Sequence, residues 1–90
     1  MSIAKVASTF TETGQSAAVV LHGKFNMSLS GTWVATVALE RSFDDGVTWL
    51  SVETFQSDTE AVIDAPEYGV QFRLNATAFT SGTVVYRLSQ

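Results

Sequence analysis

The side chains of this chain that could do chemistry are few, and their types limit what that chemistry can be. His22 is the only histidine, and there is no cysteine. Beside Gly23 between two expected strands, and with no cysteine or second histidine, His22 is not read as the anchor of a Ser-His-Asp triad. Transition-metal sites draw on several His and Cys ligands, so a lone His22 beside Gly23 reads as an ordinary turn or strand residue. Asp44, Asp45, Asp58 and Glu60 are oxygen donors of the kind calcium takes, but they lack the regular spacing of a dedicated calcium loop. Glu40 and Glu53 are candidates for the two carboxylates of glycoside hydrolysis if a hairpin sets them across from one another. Their positions read as solvent-facing. Trp33, Trp49, Phe72 and Tyr86 could form an aromatic platform for a sugar, although period-two spacing assigns such residues to a core. No phosphate-cradling glycine loop is present. No catalytic residue, cofactor or metal site is therefore assigned, and a non-enzymatic protein is expected.

The elements that must position these residues are strands. Charged residues make up only 16% of the 90-residue chain, whereas Ser and Thr number 21 and Val 11. Such β-branched, weakly charged composition favours sheet. In "TWVATVALERSF", Trp33, Ala35, Val37, Leu39 and Phe43 share one parity, opposite to Thr32, Thr36 and Glu40. "VQFRLNA" alternates Val70, Phe72, Leu74 and Ala76 with Gln71, Arg73 and Asn75. "TVVYRLSQ" does so with Val84, Tyr86 and Leu88, and "KFNMSLS" with Phe25, Met27 and Leu29. Period two marks sheets with one buried face. Glycines and the single proline, Pro66 in "DAPEYG", fall between the apolar runs. The pattern predicts one all-β domain over 1–90, an antiparallel sandwich of jelly-roll type. Its eight or so short strands fall at about 3–12, 17–22, 24–29, 32–42, 47–55, 60–64, 69–77 and 82–89. Trp33, Val37, Leu39, Phe72, Leu74, Tyr86 and Leu88 are assigned to the core. Val34, Ala38 and Val85, on the opposite parity, are the expected protein-contact face.

"SFDDGVTW" (Ser42 to Trp49) then becomes a hairpin. Asp45-Gly46 is a turn dipeptide, with Gly46 expected at positive φ. Asp44 can accept hydrogen bonds from backbone N–H groups, and the Trp49 ring can fold back onto the hairpin base. Trp49, Leu50 and Val52 cannot all point inward, which predicts a bulge near Leu50 or Ser51. The octet resembles the Asp-box, the Ser/Thr-x-Asp-x-Gly-x-x-Trp hairpin of sialidases and related propellers, with Ser42, Asp44, Gly46 and Trp49 matching. In those proteins the box is structural and repeats once per blade. One copy in a chain too short for a propeller implies a hairpin and no chemistry.

A wider resemblance bears on function. "SLSGTWVATVALERSFDDGVTWLSV" (Ser28 to Val52) looks like a pattern of small virion proteins of tailed bacteriophages. There a Ser-Gly-Thr-aromatic turn leads into a strand ending Leu-x-Arg-Ser. "YGVQFRLNATAFTSGTVVYRLSQ" (Tyr68 to Gln90) is similar to the last hairpin of such proteins. The resemblance implies a sandwich that decorates or joins parts of a virion. It makes a capsid decoration (cement) protein the leading expectation, as a homotrimer bound to the major capsid protein or another virion protein. A carbohydrate-binding, host-adsorption module and a head-tail connector or tail-associated protein are the alternatives.

Charge and hydropathy agree with a protein partner. The net charge is −4, and Lys5, Lys24, Arg41, Arg73 and Arg87 form no basic run, so a nucleic-acid backbone is not expected as partner. The longest apolar stretch, Ala17 to Leu21, is far shorter than the ~20 residues of a spanning helix. "MSIAKVASTF" does not read as a signal peptide. The expectation is a protein made in the host cytoplasm and carried in the virion.

Overall fold

The computed structural model describes residues 5–90. The strands are β1 (Lys5–Phe10), β2 (Gly14–Gln15), β3 (Val19–Val20), β4 (Gly23–Ser30), β5 (Trp33–Ser42), β6 (Leu50–Phe55), β7 (Thr59–Ala65), β8 (Gln71–Gly82) and β9 (Val84–Ser89). They form two antiparallel sheets. One has the order β1-β9-β4-β7, and the other β2-β8-β5-β6 with β3 also paired to β8. Consecutive strands mostly switch sheets, and only β5 and β6 follow one another as ladder neighbours within a sheet. With β2 and β3 counted as one interrupted strand, this is the eight-stranded jelly-roll order.

Alternating apolar residues build the core between the sheets. Phe25, Met27 and Leu29 of β4 and Tyr86 and Leu88 of β9 face Val37 and Leu39 of β5 and Phe72, Leu74 and Ala76 of β8. All are buried. The rings of Phe25 and Phe72 meet across the sheets at 4.8 Å, and Phe10 stacks on Tyr86 at 4.4 Å.

Four details depart from the sequence reading. The strand expected at 17–22 is two short ladders on either side of Ser16. There the Ser16 hydroxyl replaces a carbonyl and accepts from Leu74 N–H at 2.9 Å. The expected first strand is observed from Lys5, and its residues 3–4 lie outside the described residues. The bulge in the β5–β6 ladder falls at Val52: Leu39 pairs with Glu53 and Glu40 with Ser51. Two further bulges, at Thr77 and Thr80 of β8, keep Phe79 turned to the core and carry β8 on to Gly82. At Gly82 the backbone closes on the β4–β5 turn. A Cβ there would strike the Thr32 carbonyl and stand 2.7 Å from Trp33 Cα, and φ is +90°.

Burial corrects two assignments. Trp33 is half-buried at the rim of the core and not within it, because its indole N–H reaches out to Asp58 Oδ1 at 2.8 Å. Ala38 is buried, although it points away from the core. Its methyl lies between the ladder partners Asn75 and Thr54 and is overhung by longer side chains. Val34 and Val85 are exposed, but on the outer faces of different sheets, so the three residues do not form one contact face.

Because Leu74 is enclosed on all sides and Trp33 on only some, Leu74→Ala should cost about 2–5 kcal/mol and Trp33→Ala about 1–2 kcal/mol despite its larger side chain. Urea unfolding of both variants checks this; a larger loss for Trp33→Ala would put that ring inside the core.

Candidate functional site

Chain turns gather at the two ends of the sandwich. One end, here the near end, holds the 43–49 loop, the 66–70 turn and Leu21-His22. Its loops are fixed by local hydrogen bonding that begins at Ser42. Ser42 is fully buried at the end of β5, and its hydroxyl accepts from Gly46 N–H at 2.8 Å while donating to Asp44 Oδ1 at 2.8 Å. Asp44 Oδ1 also accepts from Thr48 N–H at 2.8 Å. Asp45 and Gly46 both take positive φ, +60° and +88°. Aspartate tolerates that region and glycine is at home in it. The Asp45 carboxylate is held by the Gln71 amide at 2.8 Å, which ties the loop tip to β8.

These bonds hold the Asp44 carboxyl well below its ordinary range, at a pKa of about 2. The backbone N–H of Thr48 is the largest cause, followed by the hydroxyls of Thr48 and Ser42. The ionised form is thus the one the hairpin is built around.

Trp49 is half-buried, and its ring lies outside the core, on the outer face of the β5–β8 sheet. Its indole N–H donates to the Gly46 carbonyl at 3.1 Å, and the Arg73 guanidinium sits 4.2 Å from the ring centre. Arg73 pairs with Glu40 at 2.8 Å, and Asn75 donates to the other Glu40 oxygen at 3.2 Å. The hairpin therefore continues into a polar chain across the sheet face: Trp49, Arg73, Glu40, Asn75.

The same loop presents apolar surface on its other side. Five of the nine large hydrophobic residues that are exposed among the described residues lie at the near end: Val20, Phe43, Val47, Leu50 and Tyr68. Val47 is 83% and Tyr68 79% exposed. Tyr68 stacks on His22 with ring centres 3.6 Å apart. Gln90 fixes His22 from below, accepting from its backbone N–H at 3.1 Å and donating to the His22 and Lys24 carbonyls.

A cleft of about 290 Å³ opens among these loops. Phe43, Ala65, Pro66, Val70 and Phe72 form its walls and floor, with Arg41 and Glu67 at its rim. The Arg41 guanidinium lies 5.0 Å from the Phe43 ring centre and has no ion-pair partner among the described residues. A second, open groove of about 380 Å³ crosses the outer face of the other sheet, between Asn26, Ser28, Glu60 and Arg87.

The candidate chemistries of the sequence do not converge. Glu40 and Glu53 pair with Ser51 and Leu39, so the bulge at Val52 leaves them on opposite faces, and Glu40 is engaged by Arg73. Asp44 and Asp45 stand at the near end, while Asp58 binds Trp33 at the far end and Glu60 accepts from Ser28 on β4. Among the described residues no three His, Asp or Glu side chains gather as a metal site. Phe72 and Tyr86 are core, and Trp33 and Trp49 lie at different ends, so the four aromatics make no platform. Sequence reasoning missed the cleft. Its available signal was Arg41, a charge at inward parity between Leu39 and Phe43, which marks where the core opens to solvent.

No protein-family model and no curated protein sequence matches the chain. Among solved structures, the crystal structure of the Yersinia pseudotuberculosis-derived mitogen is similar, with a TM-score of 0.53 at 16% identity, over 98% of this chain and 83% of that one. At that identity the likeness is one of fold.

The Asp44 network has a signed pH dependence. A carboxyl whose pKa is lowered on folding adds stability above its unfolded value of about 3.9 and loses it as pH falls toward 2. Asp44→Asn should melt below the parent at pH 6, and the gap should close between about pH 4 and pH 2. Melting curves at several pH values check this; a gap unchanged down to pH 2 would contradict the network.

Proposed function

We propose that this chain is a non-enzymatic virion protein of a tailed bacteriophage that decorates the capsid, binding the assembled shell as a homotrimer and reinforcing it. The observation that carries the reading is the grouping of exposed apolar residues at the near end, where the loop that carries Phe43 and Val47 is stiffened by the Ser42–Asp44 bonds. Exposed apolar residues grouped at one end mark a contact surface where they adjoin, and Val47 and Tyr68 are the most open of them. A rigid apolar end suits contact with a fixed protein surface, because little ordering entropy opposes docking. The resemblance of Ser28 to Val52 and Tyr68 to Gln90 to small phage virion proteins supplies the identity of that surface. Three linked copies would multiply a weak contact, since each further contact is effectively intramolecular.

A second reading, a glycan-binding host-adsorption module, is favoured by the open groove at Asn26, Ser28, Glu60 and Arg87, whose polar side chains suit sugar hydroxyls. The likeness to the Yersinia mitogen contributes the fold and no activity to either reading.

Add-back to shells lacking the protein tests the proposal. The parent should bind assembled shells, raise their resistance to heat, and bind unassembled subunits poorly. Val47→Asp with Tyr68→Asp, both fully surface changes, should weaken shell binding at least ten-fold while leaving the fold intact by circular dichroism. No binding on add-back, with glycan binding by the isolated protein, would replace decoration by the second reading. About a dozen copies per particle, in place of hundreds, would move the role to a connector.

A further inference from the structure

We propose that the cleft between Phe43 and Pro66 is a docking site for a segment of another protein that carries an apolar side chain followed directly by a carboxylate. The inference deepens the role above, in which this end meets the shell, by naming what the end reads there.

Size decides the first half. At about 290 Å³ the cleft lies at the lower limit of the ~300–1,000 Å³ pockets that enclose drug-sized ligands, and it is open on one side. It suits one apolar side chain better than a whole metabolite. Phe43, Pro66, Val70 and Phe72 offer such a group contact on several sides.

Charge decides the second half. Arg41 is at the rim, on the β5 wall, and its cation is spent on no carboxylate among the described residues, in contrast to Arg73, which holds Glu40. Its guanidinium lies near the Phe43 ring, so the fork is partly pre-positioned, with its terminal N–H groups free for a bidentate acceptor. A planar fork beside an apolar wall matches a carboxylate one residue from an inserted side chain. Glu67 occupies the wall contributed by the turn after β7 and repels an acid on that side. The two rim charges thus give the bound segment a direction: its acid toward Arg41, and backbone N–H groups or a cation toward Glu67.

The test uses the whole chain, 15N-labelled, titrated by NMR with three capped tetrapeptides. These are acetyl-Gly-Leu-Asp-Gly-amide, its Asn counterpart and its Lys counterpart. The Asp peptide should shift amides at 41–43 and 65–72 and bind about five-fold more tightly than the Asn peptide, an ion-pair margin for an exposed site. The Lys peptide should be weaker still. Arg41→Gln should erase the Asp preference while retaining the fold, since its exposed side chain makes no hydrogen bond among the described residues. Equal binding of the three peptides, or shifts elsewhere, would overturn the proposal. So would cleft shifts that arise on raising protein concentration alone and vanish in Arg41→Gln, which would make the occupant a second copy. Shell binding separates this inference from the wider role. Parent and Arg41→Gln binding shells equally would defeat the cleft alone. An Asp-selective cleft on a protein that ignores shells would stand while the decoration role fell.

Discussion

The buried hydroxyl of Ser42 is the interaction on which the functional end depends. It stands where β5 leaves the sheet, and the chain must there reverse direction without a ladder to guide it. By accepting from Gly46 N–H and donating to Asp44, one side chain replaces the backbone bonds that the reversal gives up. Asp44 then accepts from Thr48, so the Gly46 and Thr48 N–H groups both find acceptors within the loop. The Ser42 hydroxyl is itself buried, and such a group left unpaired costs on the order of 1–3 kcal/mol. A loop without this serine would have to open to water, and Phe43 and Trp49 would lose their fixed places on its two flanks.

Those flanks have different tasks. On the sheet side, Trp49 covers Arg73, and Arg73 holds Glu40, so the outer face of the β5–β8 sheet is locked and its charges neutralised. On the end side, Phe43 walls a cleft whose rim cation, Arg41, has no ion-pair partner among the described residues. Two arginines of opposite strand parity, each beside an aromatic of the same hairpin, thus meet different fates. Arg73 is closed in by a carboxylate one strand away. Arg41 is at the end of its strand, where no carboxylate among the described residues comes within ion-pair distance.

Much of the fold was legible because the core obeys period two. Val37, Leu39, Phe72, Leu74, Tyr86 and Leu88 are buried, as alternation places them, and the Asp-Gly dipeptide sits in a reversal with Gly46 at positive φ. The errors have physical causes. Parity gives the direction of a side chain and not its depth, so it put Trp33 in the core and Ala38 at the surface. The end of a strand exposed the first, and overhanging neighbours covered the second. Parity also cannot say which sheet an outward residue decorates; Val34 and Val85 both point outward from their strands but lie on different sheets. The β6 bulge was legible, because Trp49, Leu50 and Val52 cannot all point inward, and it falls one residue beyond Ser51; the bulges at Thr77 and Thr80 arise from pairing with β5, a non-local effect that no window of sequence contains. The cleft was illegible for a similar reason, because its two walls come from residues 41–43 and 65–67, joined only by the fold.

Hydroxyl-radical footprinting of the protein, free and bound to the particle it is proposed to decorate, tests most directly whether the near end is the surface that meets a partner. Phe43 and Tyr68 react readily when exposed and report on this end, while Trp33 reports on the far end in the same sample. If the account is right, labelling of Phe43 and Tyr68 falls several-fold on the particle and that of Trp33 stays as it was. Protection of Trp33, with Phe43 and Tyr68 labelled as in the free protein, would contradict it.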